Sequence, residues 1–186
     1  MKVKLALIAT LAISLSALGT RGAEAATEKG TFDYHIGDGF AILNDTGNSA
    51  VADNGDIVNV RGTGTFDVVS KMATGGGMFT HKRADGTTVA SGKWTATGLL
   101  AFQSYGPGTP QGTPPNFFGG RAALAIVGTP TGTTLMLPGI LEIECALGTP
   151  PGGAEEGVRL LVKGIINFNK SVHESGENVF VKLPPS

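Results

Sequence analysis

The stretch "KWTATGLLAFQ", residues 93–103, sorts its side chains by alternate position. Trp94, Ala96, Gly98, Leu100 and Phe102 fall on one face, and Lys93, Thr95, Thr97 and Gln103 on the other. A period of two is the mark of a half-buried strand and excludes a helix over these residues. Working outward, "VRLLVKGIINF" at 158–168 reads as a second long strand with Val158, Leu160, Val162, Ile166 and Phe168 on one face. "RAALAIV" at 121–127 is apolar on both faces and should be covered on both sides. Asn54-Gly55 and Asp85-Gly86 carry the positive φ angles of tight hairpin turns, the second joining a strand near 77–81 to one beginning near Thr88. No segment after residue 25 keeps a helical period. The expected fold is all-β, a single antiparallel barrel of about eight to ten strands, with a two-sheet sandwich as the alternative. Gly98 and Gly164, inside long strands, suggest the bends of a barrel wall.

The first 25 residues stand apart from this pattern. Lys2 and Lys4 precede an apolar run from Leu5 to Leu18, and Ala23-Glu24-Ala25 offers small residues where a signal peptidase reads. The run is too short to span a bilayer as a helix. Residues 1–25 are therefore expected to be a cleaved signal peptide. Residues 26–186 would be one secreted or periplasmic domain with no transmembrane segment. Loss of Lys2, Lys4, Arg21 and Glu24 with the leader takes the formal charge from −1 to −3. That mild acidity argues against nucleic acid, whose phosphates call for a basic footprint. Cys145 is the only cysteine, so no intramolecular disulfide is available. In "LEIECAL", residues 141–147, it shares a face with Leu141, Ile143 and Leu147 and reads as a small core hydrophobe.

Glycine and proline gather in two long loops, 106–120 and 148–157. Phe117 and Phe118 in the first would either fold back to plug one end of the barrel, rim a ligand mouth, or dock on another subunit. Between Asp85 and Glu142 the only charged residues are Lys93 and Arg121, a pattern suited to a subunit interface or the wall of an apolar cavity. Phe117, Phe118 and Trp94 are the candidate ligand contacts. His81 shares strand parity with Phe79, which aims it inward near a turn, where an imidazole has the chemistry of an acid or base. Glu142 and Glu144 lie on one strand face about 7 Å apart, either on a solvated outer wall or as an acid–base pair if that wall lined a cavity. His35, His81 and His173 lack paired metal-ligand spacing, and Asp33, His35 and Asp38 are oxygen and nitrogen donors without the spacing of a calcium loop. The "GGG" at 75–77 lacks the lysine and helix of a phosphate loop, and neither a serine elbow nor a Cys–His pair is present. No motif calls for a cofactor.

Residues 61–81, "RGTGTFDVVSKMATGGGMFTH", resemble the Gly-x-Gly-x-Phe signature of dirigent proteins and allene oxide cyclases, carried here by Gly62, Gly64 and Phe66. The resemblance implies an eight-stranded antiparallel barrel with an apolar interior and assembly into homo-oligomers. The acidic residues with which those families handle substrate have no counterpart in this chain. The expectation is an exported barrel that binds a small apolar ligand or packs with its own copies. A cofactor-free isomerase or cyclase and a cell-surface adhesive component are the alternatives.

Overall fold

A computed structural model describes residues 28–41, 43–172 and 176–185. The expected signal peptide and His173 lie outside the described residues. Regular structure among the described residues is β, apart from one 3₁₀ turn at Thr109–Gln111. The strands are β1 (Thr31–Ile36), β2 (Asn48–Val51), β3 (Ile57–Asp67), β4 (Ala73–Lys82), β5 (Thr88–Pro107) and β6 (Phe117–Pro130). They continue with β7 (Leu137–Cys145), β8 (Gly157–Val162), β9 (Ile166–Phe168), β10 (Lys170–Ser171) and β11 (Asn178–Lys182).

All eleven belong to one antiparallel sheet that rings round on itself. One circuit of paired strands runs β3–β1–β11–β6–β5–β4 and returns to β3. At the other end of β3, β2 pairs with residues 57–60, and β7, β8 and β9 extend from β6. The chain then passes from β9 into β10, which pairs with β2. Ser171 Oγ donates to Val158 O at 3.1 Å and Val172 N to Ser49 O at 3.0 Å, so the β8 side is stitched to the β2 side. The strand count exceeds eight to ten because the C-terminal part is cut into short pieces.

Inward-facing side chains divide the interior into two halves. One half is an aromatic cluster, in which Phe32 lies 5.6 Å from Phe66, 5.0 Å from Phe102 and 5.6 Å from Phe118 between ring centroids. Phe180 closes it edge-on against Phe66 and Phe102. Phe32, Phe66 and Phe180 are all but fully buried, and each contributes roughly 2–3 kcal/mol by leaving water. The Gly-x-Gly pair has a specific use here. A Cβ on Gly64 would sit 2.1 Å from Thr74 O and 2.5 Å from Tyr34 Oη, and one on Gly62 would sit 2.8 Å from the Trp94 ring. Glycine lets β3 and β4 close tightly over Tyr34 and Trp94, with Tyr34 Oη donating to Thr74 O at 2.9 Å.

Several sequence expectations change in the structure. In β5 the pairing with β6 shifts between Ala96 and Gly98, between Leu99 and Ala101, and between Ser104 and Gly106. Each bulge adds a residue to one strand and turns the residues beyond it to the opposite face. Leu99, at 3% exposure, therefore replaces Leu100, at 51%, on the inside. Residues 158–168 are a hairpin and not one strand: Leu160 pairs with Phe168 and Val162 with Ile166, across a turn in which Gly164 has φ 73°. The predicted face survives, because pairing across the turn keeps those residues together. The β5–β6 loop is also shorter than 106–120, because pairing continues through Gly106–Gly119 and Pro107–Phe118. Finally, Ala123, Ala125 and Val127 on the outer face of β6 stay half-buried, so the chain does not itself fully cover that side.

Candidate functional site

The other half of the interior is packed as well, but less completely. It holds a cavity of about 90 Å³ at the end of the ring where the β2–β3, β4–β5, β6–β7 and β8–β9 hairpins turn. Val58 and Val60 of β3, Phe79 of β4, Trp94 of β5, Ile126 of β6, Leu141 of β7 and Leu160 and Val162 of β8 form the inner wall. Pro130, Leu137 and Ile165 stand at the hairpin ends, and Ile166 and Phe168 close the side. Alternation explains the lining: each of these strands contributes every second residue, and those residues are apolar. Gly128 and Gly139 leave space where their neighbours carry side chains.

Trp94 stands deep in this wall. It is 2% exposed, its Nε1 donates to Arg61 O at 3.1 Å, and its ring stacks on Tyr34 at 6.3 Å. It separates the cavity from the aromatic cluster. Burial pushes the Tyr34 phenol well above its ordinary range, so that hydroxyl stays protonated. The rim is also apolar: Leu135, Met136 and Ile165 are 58%, 70% and 65% exposed beside the lining residues Leu137 and Ile166.

Among the described residues, His81 is the only titratable side chain in the lining. Its Nε2 lies 2.8 Å from Asp56 Oδ2, and its ring meets Phe168 edge-on at 5.2 Å. A carboxylate accepts, so Nε2 carries the proton that it donates to Asp56. Asp56 is held by the Asn54-Gly55 turn, in which Ala52 N donates to Asp56 O at 2.9 Å. Sequence reading missed Asp56. The signal was there in the turn, which brings the residue after Gly55 back beside the strand that pairs with His81.

The other candidates lie elsewhere. Phe117 and Phe118 begin β6 on opposite faces, and neither lines the cavity. Phe118 packs into the aromatic cluster, while Phe117 sits in a small outer core with Leu43, Val179 and Val181, beside Phe40. Glu142 and Glu144 point away from the cavity. Arg121 donates to Glu142 at 2.5 Å, and Arg159 to Glu144 at 3.0 Å. Glu144 is buried rather than solvated: Tyr105, the extra residue of the bulge before Gly106, donates to it at 2.7 Å. Burial, then the Glu144 carboxylate, pushes the Tyr105 phenol up.

Asp33 accepts from Thr65 Oγ1 at 2.7 Å, while His35 Nδ1 contacts Asp38 at 2.8 Å under a stacked Phe40 ring 3.7 Å away. Among the described residues, no group of three or more His, Cys, Asp or Glu side chains is placed to hold a metal ion.

One further carboxylate stands out. Glu156, just before β8, accepts from Ala146 N and Asn178 N at 2.7 Å each and so ties the end of β7 to the start of β11. Burial nevertheless pushes its carboxyl up to about 7, since its two backbone donors only partly offset the lost hydration. Burial likewise pushes the nearby Cys145 thiol far up, leaving it protonated and unreactive.

No protein family, curated protein or solved structure matches this chain.

Proposed function

We propose that this protein is an exported, non-enzymatic binding protein whose ring of strands is a β-barrel and whose open cavity takes one small apolar group. The observation that carries the reading is a cavity of about 90 Å³ within the packed interior, walled by apolar side chains and reached past an apolar rim. An empty cavity forfeits dispersion contacts, so a chain that keeps one open gains them back on binding a matching ligand. Taking about 30 Å³ as one water's share of liquid volume, 90 Å³ holds the inner three carbons or so of an alkyl chain. The remainder of a longer chain would lie across Leu135, Met136 and Ile165. Export rests on the basic start, apolar run and small-residue site of residues 1–25.

Trp94 is the only tryptophan and stands in the wall, so its fluorescence reports the cavity directly. Titration with 1-bromohexane, whose bromine quenches indole on contact, should give saturable quenching. Quenching that rises linearly with concentration, as for free indole, would refute occupancy.

The His81–Asp56 pair favours a second reading, a cofactor-free isomerase with His81 as its base. Proton transfer to and from carbon builds charge on the substrate that a second polar group must stabilise, and among the described residues the rest of the lining offers no other titratable side chain. Binding is therefore the better account.

A further inference from the structure

Exposed apolar side chains gather at both ends of the sheet, in different electrostatic surroundings. At the cavity end Leu135 and Met136 lie between β6 and β7, and Ile165 lies between β8 and β9. Lys163 N donates to Pro138 O at 3.0 Å and Thr131 N to Ser91 O at 2.8 Å, which sets these turns beside one another and beside the start of β5. Lys82, Arg83 and Lys163 are exposed on the turns of the same end. Among the described residues, none of these three cations is in an ion pair. The acids of this end are engaged: Asp53 with Lys170 at 2.9 Å, Asp56 with His81 at 2.8 Å, and Asp85 accepting from Thr87 N at 2.8 Å. In the β3–β4 turn at the far end Val69 and Met72 are equally bare, but the charges of that turn, Asp67 and Lys71, cancel.

We propose that the cavity end docks on an anionic lipid surface, with Leu135, Met136 and Ile165 entering the interface and Lys82, Arg83 and Lys163 meeting the headgroups. Charge complementarity carries the choice of partner. Apolar tips among uncompensated cations match the two layers of such a surface, the acyl boundary and the negative headgroups above it. Shape agrees. The three apolar side chains stand on two separate turns as points, which a fluid interface takes in without a matching surface, whereas a protein partner would need a pocket for each. Entry by side chains at the turns leaves the backbone at headgroup level, where water satisfies it. Docking does not require the cavity to be filled, so this inference stands or falls apart from the binding reading.

The test places an environment-sensitive fluorophore at each end of the chain recovered after export. Cys145 is buried, so a cysteine at an exposed tip is labelled alone. Met136→Cys carries NBD at the cavity end and Val69→Cys carries it at the far end. Vesicles of phosphatidylcholine and phosphatidylglycerol in equal parts should brighten and blue-shift the label at 136 and leave the label at 69 in water. Lys82→Gln, Arg83→Gln and Lys163→Gln together should lower vesicle affinity about a hundredfold, at about fivefold for each cation near the surface. Pure phosphatidylcholine should bind the unsubstituted turns as weakly. A response from both labels, from neither, or of equal strength with the two kinds of vesicle overturns the proposal. Brightening at 136 that follows protein concentration without vesicles assigns the tips to a second copy of the chain and overturns it too. Trp94 quenching by 1-bromohexane reads the cavity separately, so failure to dock leaves the binding reading standing.

Discussion

Raising the pH from 5 to 8 should remove a stabilising contribution of one buried side chain, Glu156. Its carboxyl titrates at about 7 in the folded protein against an ordinary value of 4.5, because burial penalises the charge more than two backbone donors favour it. The folded state thus holds the proton more tightly than the unfolded chain. The resulting stabilisation is fully present below pH 4.5, declines as pH rises, and is gone above 7. A shift of this size corresponds to about 3 kcal/mol at ~1.4 kcal/mol per pH unit, most of it lost between pH 5 and 8. Asp67 and Asp85, held low chiefly by backbone N–H donors from Ser70 and Thr87, change charge only in more acid solution.

Glu156→Gln isolates the effect, since it is neutral throughout. Its amide NH₂ cannot accept from a backbone N–H, so the variant should be weaker than wild type at pH 5 by about 1 kcal/mol. By pH 8 it should equal or exceed wild type. Urea unfolding followed by Trp94 fluorescence at pH 5, 6, 7 and 8 measures both curves. Parallel curves across the window would show that Glu156 does not carry the raised affinity for its proton.

Gly128→Val should fill the cavity without harming the wall. A Cβ there meets only Leu137 O and a Phe79 ring carbon at 3.8 Å each, ordinary contact distance. Stability should hold or rise, by about 0.5–1 kcal/mol from reduced unfolded-chain freedom, read as an unchanged or higher melting temperature, while 1-bromohexane affinity falls at least about tenfold. Unchanged quenching would place the probe elsewhere. The bulges in β5 predict opposite outcomes for adjacent residues. Leu99→Asp should cost more than about 3 kcal/mol and Leu100→Asp within about 0.5 kcal/mol by urea unfolding, the reverse of what plain alternation implies.

Much of the architecture was readable because side-chain alternation reports burial directly. Trp94 and Ala96, Leu141 and Ile143, and Leu160 and Phe168 all take the faces their spacing predicts. What the spacing hides is any event that changes parity or direction. Gly98 marked a bend in β5, yet nothing in "TGLLAFQSYGP" says how many residues each bulge inserts, so Leu99 and Leu100 exchanged faces. Gly164 looked like a bend and is a turn, because glycine serves both and only pairing partners separate them. The site was half legible. Phe79 parity aimed His81 inward, but Asp56 became its partner through a hairpin that a linear reading does not place. Phe117 and Phe118 attracted attention as aromatics beside a flexible composition, and the structure spends both on packing. Glu144 alternates onto the outer face, and what buries it there is Tyr105, 39 residues away in sequence.

Isotope-filtered NOE spectra of the labelled protein with unlabelled 1-bromohexane test occupancy of the cavity most directly. The account predicts contacts from the alkyl chain to the methyl groups of Val60, Leu141 and Leu160, which line the inner wall. Contacts confined to exposed Val69, Leu100 and Met136, or none at all, would contradict it.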